Sequence, residues 1–487
     1  MTTDKDISKE NFIEDVRGHT PVDLLEQQNA DEVFTPKEAR DIVRKIDWRL
    51  IVPLGLMLGA NLIDRTNLGN TSIAGMTADL ELNVGSRYNI ILLVFFGPYV
   101  LAQLPCAIIV RKWGPRTYLP LITLLWGIVM LSFAFVRDWR VMIALRVLLG
   151  VVEAGLFPGA IYLLSLWYTR YQVYKRYSSF YLISVIGAAF SGVLAYVFSL
   201  MKGLGGLEAW RWIFVMEGLI TIIIAFIGYA MMVGVPQDSH KAWKFLSKEE
   251  EDYILRTLEN DRHDAEQNEE FQWGKFLRPA TDPKIWGFGF LFFFSTIVAY
   301  AISYFLPIIL LRQLKFELGV AQLLSTPPFI WACILMLIEA WLGDCYHIRG
   351  PIIMCNSIQS IVGLCLLAWT STPGVQYLGV CFVAGGCHPN LPAVITWQAN
   401  NVRGQWKRSF CSASLIAMGG VGGIVGSVVY RAKDAPRYLP GIYASIVCYV
   451  LTLIVSGMMM LYFSRVNKQA DNGHRLIEGL EGFRYTL

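Results

Sequence analysis

The feature that most constrains this chain is a series of twelve apolar runs, each about as long as a membrane-spanning helix. Crossing the hydrocarbon core of a bilayer takes about 20 apolar residues in a helix. The composition agrees, because 54% of the 487 residues are hydrophobic, only 16% are charged, and the mean hydropathy is +0.45. A soluble protein of this length would carry more charge. The runs lie near residues 50–69, 89–109, 117–136, 141–168, 177–200, 212–234, 285–311, 327–345, 351–370, 375–397, 409–430 and 441–464.

Polar segments divide these runs into two halves of six. Thr35 and Glu38 form a capping box that predicts the start of an amphipathic helix, which should run to Lys45. Ser247 and Glu250 form a second capping box and predict a short helix in the central linker. We expect a tail with its amphipathic helix, an N-terminal half, a linker, a C-terminal half and a polar tail, at residues 1–45, 46–234, 235–284, 285–464 and 465–487.

Short motifs recur at corresponding places in the two halves and favour a duplicated frame. The basic turn from Arg111 to Arg116 follows the second run, and a partly similar turn with Asp344 follows the eighth. Arg176 follows the end of the fourth run, and Arg408 follows the end of the tenth. We assign these five charged residues to gating or to structural motifs.

The basic residues also predict the orientation of the chain. If both ends are cytoplasmic, 30 of the 42 Lys and Arg residues lie on inner segments and 10 on outer loops, while the short loops alone carry ten on each side. The excess on the side of the tails places both termini in the cytoplasm. The chain does not begin with a cleavable signal sequence, so we expect the first run to act as an uncleaved insertion signal of a plasma-membrane protein.

Motifs that would indicate other classes of protein are missing from the sequence. There is no Walker-type phosphate loop, no HExxH motif and no Gly-x-Ser-x-Gly motif. The nine cysteines form no Cys-x-x-Cys pair and show no zinc-binding spacing. We therefore expect no enzyme activity, no cofactor, no metal and no nucleic-acid partner, and we expect a monomer in the lipid bilayer.

Two ionisable residues stand inside the fourth run. Arg146, Gly150 and Glu153 are spaced i, i+4 and i+7, which places both charges on one helix face, about 10 Å apart along the axis. A charge in a membrane helix indicates a functional site by default, and the alternative is a salt bridge that locks two helices. Gly150 should leave space between the two side chains. Pro158 and the glycines around it should bend the helix and allow close packing.

The first and sixth runs contain further charges. Asp64 and Arg65 are adjacent, so their side chains point about 100° apart and cannot neutralise each other face to face. At least one of them should face the protein interior, unless the pair lies near the outer interface. Asn67 follows in the same stretch. Glu217 in the sixth run either forms an ion pair with Arg211 or has a secondary role in proton coupling.

Further candidates lie in the second half. Tyr300 and Tyr304 are i, i+4 neighbours that could form a pocket wall, although aromatic pairs at this spacing more often pack in a core. His388 and Asn390 flank a proline in the tenth run. They are candidates for substrate contact, with a hydrogen-bonded interior histidine as the alternative.

Together these residues resemble the major facilitator superfamily and, within it, the anion:cation symporter family. The resemblance covers residues 44–464 and is greatest to the fungal allantoate and nicotinate permease group. It implies an all-α membrane protein of twelve transmembrane helices in two pseudo-symmetric halves. It also implies that Arg65 and Arg146 hold the substrate anion and that Asp64 and Glu153 carry coupling protons. The motifs that carry it are IDRTNLGN (63–70), RKWGPR (111–116), RVLLGVVEAGLFPG (146–159), LWYTRYQVYKR (166–176), AWRWIFVMEG (209–218) and, in the second half, WQANNVRGQWKR and DAPRYLPG.

These observations predict a secondary active transporter that moves a small organic anion together with protons by alternating access. Moving a monovalent anion against an inside-negative potential costs about 2.3 kcal/mol per 100 mV, and one co-transported proton cancels this cost. Protonation of an acidic residue would release the arginine paired with it, and this arginine could then bind a carboxylate such as a vitamin-like acid or allantoate. The alternatives are an exporter on the same fold and a nutrient sensor that does not transport. We assign substrate binding to Arg65, Arg146, Asn67, Tyr300, Tyr304, His388 and Asn390, and proton coupling to Asp64, Glu153 and Glu217.

Overall fold

The computed structural model describes residues 34–241, 245–263, 278–346, 348–402, 405–431, 434–473, 476–478 and 483–487. The side chains of Arg111, Asp344 and Arg408 lie outside the described part, and so do the predictions made for them. Within the described residues the chain is almost entirely helical. Twelve long helices, some of them in two segments, follow the twelve apolar runs, and we number them α1 to α12.

The helix bounds follow the predicted runs closely. Eleven helices among the described residues are long and apolar enough to cross a membrane. The remaining run corresponds to α2, a helix of 27 residues. The first six are α1 Pro36–Thr71, α2 Arg87–Trp113, α3 Pro115–Phe133, α4a Trp139–Glu153 with α4b Leu156–Trp167, α5a Arg170–Ala189 with α5b Ser191–Ser199, and α6 Ala209–Met231. The second six are α7 Pro283–Arg312, α8a Leu318–Leu323 with α8b Thr326–Tyr346, α9 Gly350–Trp369, α10 Pro373–Asn401, α11 Gln405–Val429 and α12 Leu439–Asp471.

The amphipathic helix and the first span form one continuous helix, α1, so the prediction of a separate helix ending at Lys45 is wrong. The predicted capping box is present: the Thr35 amide donates to the Glu38 carboxylate at 2.8 Å, and the Glu38 amide donates to the Thr35 hydroxyl at 3.4 Å. Neither proline nor glycine occurs between Lys45 and Pro53. Nothing in that stretch therefore ends the helix.

The fourth span is interrupted between α4a and α4b, in the stretch where the sequence predicts a bend. A Cβ atom on Gly155 would lie 2.3 Å from the Tyr118 hydroxyl, and one on Gly159 would lie 2.7 Å from the Leu119 side chain. Pro158 lies in the first turn of α4b. The glycines thus allow α3 to pack closely against the bend.

The linker helix, Lys248–His263, lies beside the start of α1. The predicted capping box is present, because the Ser247 amide donates to the Glu250 carboxylate at 3.0 Å and the Glu250 amide donates to the Ser247 hydroxyl at 3.2 Å. Lys45 of α1 forms an ion pair with Glu250 at 2.6 Å. We call the side of the membrane on which α1 begins and the linker helix lies the tail side.

The described part of the C-terminal tail packs against the second half. The Trp397 indole donates to the Thr486 carbonyl oxygen at 2.9 Å, and the Asn401 amide group exchanges hydrogen bonds with the Thr486 backbone. Glu478 forms ion pairs with Lys284 and Lys407. Burial alone would raise the pKa of Glu478, but the hydrogen bonds and charges of the two lysines outweigh burial and hold it below its usual value. The tail is therefore an integral part of the second half.

The two sets of six helices contact each other on the side opposite the tails. The Asn89 side chain, near the start of α2, donates to the backbone carbonyl oxygens of Ser427 at 2.8 Å and Tyr430 at 2.9 Å. A Cβ atom on Gly192 of α5b would lie 2.2 Å from the Gln322 carbonyl oxygen. These contacts join the halves at that side. The division of the chain at residues 234 and 285 remains a prediction.

Candidate substrate and proton site

A central cavity of about 150 Å³ lies between the two sets of helices. Its lining residues come from α1, α2, α4b and α5a on one side and from α7, α8b, α10 and α11 on the other. Most of the wall is apolar or aromatic. Among the described lining residues, Arg65 is the one with a permanent charge. The polar lining residues are Arg65, Thr66, Tyr99, Tyr181, Thr296, Tyr300, Ser303 and His388.

Arg65 connects the two halves at this cavity. Its Nη1 donates to the Tyr300 hydroxyl of α7 at 2.6 Å, and its Nη2 lies 3.7 Å from a carboxylate oxygen of Glu153. The guanidinium also lies 5.1 Å from the Tyr99 ring centre and 5.5 Å from that of Phe95, at cation–π distance. The residue is only 6% exposed. Aromatic rings and an acid therefore hold the guanidinium at the cavity wall.

Glu153 pairs with Arg65 rather than with Arg146 on its own helix. Asn61 of α1 donates to its Oε2 at 2.5 Å, while its Oε1 is buried and has no hydrogen-bond partner among the described residues. The structure corrects the expectation that Gly150 leaves space beside this acid. A Cβ atom on Gly150 would lie 2.4 Å from the Phe95 carbonyl oxygen, so this glycine allows α2 and α4a to pack closely.

Two more acids lie buried near this pair. Trp126 of α3 donates to Asp64 Oδ2 at 2.8 Å, and the Asn67 side chain donates to the Glu217 carboxylate. The second oxygen of each acid is buried without a described partner. Asp64 is 1% exposed, so its carboxyl group lies in the protein interior. Arg211 donates to a backbone carbonyl oxygen at 2.6 Å, so the alternative ion pair between Arg211 and Glu217 does not form.

Arg146 lies behind the cavity and is not among its lining residues. It is 2% exposed, and its guanidinium stands 5.2 Å from the Phe133 ring centre. Its Nε and Nη2 have no hydrogen-bond partner among the described residues. Electrostatic interactions link it to Glu153, Asp64 and Tyr304. Arg146 thus balances the buried acids without reaching the cavity in this conformation.

The buried charges do not cancel if all of them are ionised. The group contains three carboxylates and two guanidiniums, each less than 7% exposed. An uncompensated charge is costly in a low-dielectric interior, so one carboxylate must hold a proton for the group to be neutral. The group is Asp64, Arg65, Arg146, Glu153 and Glu217.

The predicted residues of the second half are only partly brought together. Tyr300 and Tyr304 stack with ring centres 6.1 Å apart, but only Tyr300 lines the cavity. His388 lines the cavity 5.0 Å from the Phe329 ring, and its Nε2 has no described partner. Asn390 is fully buried away from the cavity lining, and both its amide atoms lack described partners.

The predicted motif residues that are described lie on the tail side. Arg176 forms an ion pair with Asp47 at 3.1 Å, which joins α5a to α1. Arg116, at the start of α3, is exposed and lies beside Gly234, which follows α6. Both residues connect helices of the first half, at a distance from the cavity.

A family model described as Major Facilitator Superfamily matches residues 54–427 of this chain. The chain belongs to the major facilitator superfamily. It is thus a multi-pass membrane protein of a transporter family. One relative is the MFS-type transporter cnsO of Penicillium expansum, 30% identical over 454 residues that cover 91% of this chain and 87% of the relative. Another is the high-affinity nicotinic acid transporter of Saccharomyces cerevisiae, 27% identical over 89% of this chain and 79% of the relative.

Solved structures of the superfamily share this fold. A bacterial homolog of the human lysosomal transporter Spinster, in an inward-facing and unoccupied conformation, matches with a TM-score of 0.63. The match covers 84% of this chain and 95% of that one, at 14% sequence identity. The fold prediction is therefore confirmed.

The sequence analysis missed the neutral side chains that donate hydrogen bonds to Glu153 and Asp64. Asn61 and Trp126 belong to no motif, although Asn61 lies three and four residues before Asp64 and Arg65 and so shares their helix face. It also missed Glu339 of α8b, an acid in an apolar helix that accepts a hydrogen bond from Asn356 at 2.8 Å. Glu339 lies outside the cavity lining, so we include it in no step of transport.

Proposed function

We propose that this protein is a proton-coupled symporter of a small organic anion that carries a carboxylate. The observation that carries the proposal is the position of Arg65, a buried arginine on the wall of the central cavity that is paired with Glu153. The name of the yeast relative, a nicotinic acid transporter, supports a small carboxylate as substrate. We place the protein in the anion:cation symporter family and in the plasma membrane, with both termini in the cytoplasm.

Exchange of partners at Arg65 would couple the proton to the anion. While Glu153 is ionised, it neutralises Arg65, and a substrate anion must compete with it. A proton on the unpartnered Oε1 of Glu153 would remove this competition and leave the hydrogen bond from Asn61 to Oε2 in place. Arg65 would then offer its charge, and its Nε without a described partner, to the substrate carboxylate.

The charge count supports one proton per monovalent anion. With one proton on its three acids, the buried group is neutral before substrate enters. A bound monocarboxylate would add one negative charge to a site that water does not screen. A second proton restores neutrality; Glu153, the acid paired with Arg65, would accept it, while Asp64 or Glu217 keeps the first. Arg146 would balance the one remaining carboxylate while Arg65 holds the substrate.

The cavity wall supports a monocarboxylate with an apolar or aromatic body. A dicarboxylate would need a second cation, and Arg65 is the one permanent cation among the described lining residues. The rings of Tyr99, Tyr181 and Phe329 line the same space. His388 offers a ring nitrogen without a described partner to a polar atom on the far side of the substrate. Ring-containing carboxylates such as nicotinate therefore suit the cavity better than short dicarboxylates do.

Alternating access would proceed by separation of the contacts on the side opposite the tails. In this conformation Asn89 joins α2 to the end of α11 there. Rocking of the two halves about the Arg65 level would open that side and close the tail side. The hydrogen bond from Arg65 to Tyr300 joins α1 to α7 at the level of the substrate. Binding of substrate to Arg65 would therefore control the rocking of the two halves.

Uptake into proteoliposomes with a panel of carboxylates tests the proposal. The panel contains nicotinate, pantothenate, allantoate and succinate, and each compound is also tested as a competitor. We expect saturable uptake of a monocarboxylate that an inwardly directed proton gradient increases and that Arg65→Gln abolishes. Binding without counterflow would indicate a sensor instead. In cells that lack the protein, loss of uptake supports an importer, whereas sensitivity to an accumulating metabolite indicates an exporter.

A further inference from the structure

Four buried polar side chains lie behind the wall of the central cavity, within the first set of six helices. Asp64, Asn67 and Asn70 follow one another at three-residue spacing along one side of α1, and Glu217 of α6 lies against them. Each of the four residues is at most 2% exposed, and none of them is among the cavity-lining residues. We call them the buried oxygen cluster. The proposed transport mechanism gives no role to the two asparagines.

Every side chain of the cluster has an oxygen atom without a hydrogen-bond partner among the described residues. These atoms are Asp64 Oδ1, Asn67 Oδ1, Asn70 Oδ1 and Glu217 Oε1, and all four are buried. The Asn67 nitrogen donates to the Glu217 carboxylate, so the oxygen of the same amide group also lies beside that carboxylate. Glu217 and Asp64 interact electrostatically. Unpartnered oxygen atoms of α1 and α6 therefore lie close together.

The charged groups nearby do not satisfy these oxygen atoms. Arg146, Arg65 and Glu153 interact electrostatically with Asp64. However, the Nε and Nη2 of Arg146 have no hydrogen-bond partner among the described residues, and Arg65 donates to Tyr300 and pairs with Glu153. A buried oxygen that accepts no hydrogen bond is costly, and more so when it belongs to a carboxylate. The cluster therefore suits a ligand with a positive charge.

The charge of the buried group indicates that this ligand is monovalent. The three acids and two arginines of the group leave one net negative charge when all five are ionised. A monovalent cation neutralises this charge, whereas a divalent cation would leave an excess positive charge. Hard cations take oxygen ligands from carboxylates and amides, which the cluster offers. In the part of the chain that the structure describes, no group of three or more His, Cys, Asp or Glu side chains could hold a metal ion, so a site here depends on the asparagine oxygens.

We propose that the buried oxygen cluster binds a sodium ion, the common small monovalent cation. The ion would take the place of the first proton in the charge count and would leave Glu153 free to accept the proton that releases Arg65. All four ligand side chains belong to α1 and α6, so rocking of the two halves would not by itself break the site. The site does not depend on the exchange of partners at Arg65, and it can therefore be tested without substrate.

Binding of radioactive sodium to the purified full-length protein, without any organic anion, tests this proposal. Choline chloride keeps the ionic strength constant. Glu217→Gln keeps an oxygen that can accept from Asn67 but removes one negative charge, so the buried group is neutral without a cation. Asn70→Ala removes one ligand oxygen and leaves the charge unchanged. Glu339→Gln is the control, because Glu339 is an acid of α8b, outside the cluster, that accepts from Asn356.

We expect saturable sodium binding at alkaline pH and a higher melting temperature in sodium chloride than in choline chloride. Glu217→Gln should weaken sodium binding more than about tenfold, and Asn70→Ala should weaken it about threefold or more, because affinity depends on the charge and number of the ligands. Glu339→Gln should change it less than about twofold. Protons compete for the same carboxylates, so bound sodium should decrease at acidic pH.

The melting temperature of each variant in choline chloride checks its folding, and Asn70→Ala keeps the test decisive where Glu217→Gln does not fold. Absence of saturable sodium binding at alkaline pH, or equal losses in the cluster variants and in Glu339→Gln, would overturn the sodium site. Such a result would leave proton-driven uptake of the anion intact. Conversely, sodium binding in a protein whose anion uptake ignores the proton gradient would support the site and contradict the proposed function.

Discussion

Replacement of Glu153 by glutamine should make anion binding tighter and independent of pH. In the wild-type protein the Glu153 carboxylate competes with substrate for Arg65 across 3.7 Å. Glutamine has nearly the same size and keeps an oxygen to accept the hydrogen bond from Asn61. The variant therefore removes the charge and preserves the packing, as protonation does in the proposed mechanism.

The geometry sets the size of this effect. Two opposite charges about 4 Å apart attract each other by about 4 kcal/mol at an effective dielectric constant of about 20. Complete release of this attraction would tighten anion binding by up to about a thousandfold. Arg146 also interacts with the buried acids and will take up part of the change. We therefore expect Glu153→Gln to bind the anion about tenfold to a hundredfold more tightly at neutral pH.

Equilibrium binding of a radiolabelled carboxylate, chosen from the uptake panel, measures the effect in detergent. Wild-type affinity should rise as the pH falls from neutral to acidic, and the variant should bind tightly at both. Glu339→Gln is a matched control, because Glu339 is an acid of another membrane helix that accepts from Asn356 and lies outside the cavity lining. A Glu153→Gln variant that binds no more tightly, or that keeps the wild-type pH dependence, would refute the exchange of partners at Arg65.

Three further predictions follow from the packing. Gly150→Ala would place a Cβ atom 2.4 Å from the Phe95 carbonyl oxygen and should destabilise the protein by about 1–3 kcal/mol. Gly457→Ala adds a Cβ atom with nothing within 4 Å inside α12 and should not lower the melting temperature, because alanine favours a helix over glycine. Asn89→Ala removes two hydrogen bonds between the halves, each worth about 1 kcal/mol. Labelling of cysteines on the side opposite the tails should therefore become faster. An unchanged labelling rate would argue against a closure at that side. Because the folded pKa of Glu478 lies below its usual value of about 4.3, its contribution to docking of the tail is present above that pH and is lost as the pH falls through the folded pKa. Glu478→Gln should therefore weaken docking of the tail by about 2 kcal/mol at neutral pH and make the tail more sensitive to protease. Equal protection of the variant and the wild-type protein would contradict this.

The sequence predicted the membrane helices well, because each needs only a local run of apolar residues. Both capping boxes were also predictable, since a cap depends on side chains three residues apart. The prediction that the amphipathic helix ends at Lys45 was wrong, because a change from polar to apolar residues does not itself end a helix. Docking of the C-terminal tail was not foreseen, because it depends on Asn401 and Trp397, about 85 residues earlier in the chain.

The sequence could predict which residues form the candidate site but not which of them contact each other. Intramembrane charge alone identified Asp64, Arg65, Arg146, Glu153 and Glu217, because such charges are costly in an apolar helix. Helix periodicity could not show that Glu153 pairs with Arg65, since that contact depends on how α1 packs against α4a. It also could not show that Arg146 and Asn390 lie away from the cavity lining.

Accumulation of a monocarboxylate in proteoliposomes under an imposed pH gradient tests the central claim most directly. If one proton accompanies each monovalent anion, the transported charge is zero, and each pH unit of gradient should support about tenfold accumulation. A protonophore should abolish this accumulation, and an imposed membrane potential should leave it unchanged. Saturable uptake that is indifferent to the pH gradient would contradict the coupling of protons to the anion through Glu153 and Arg65.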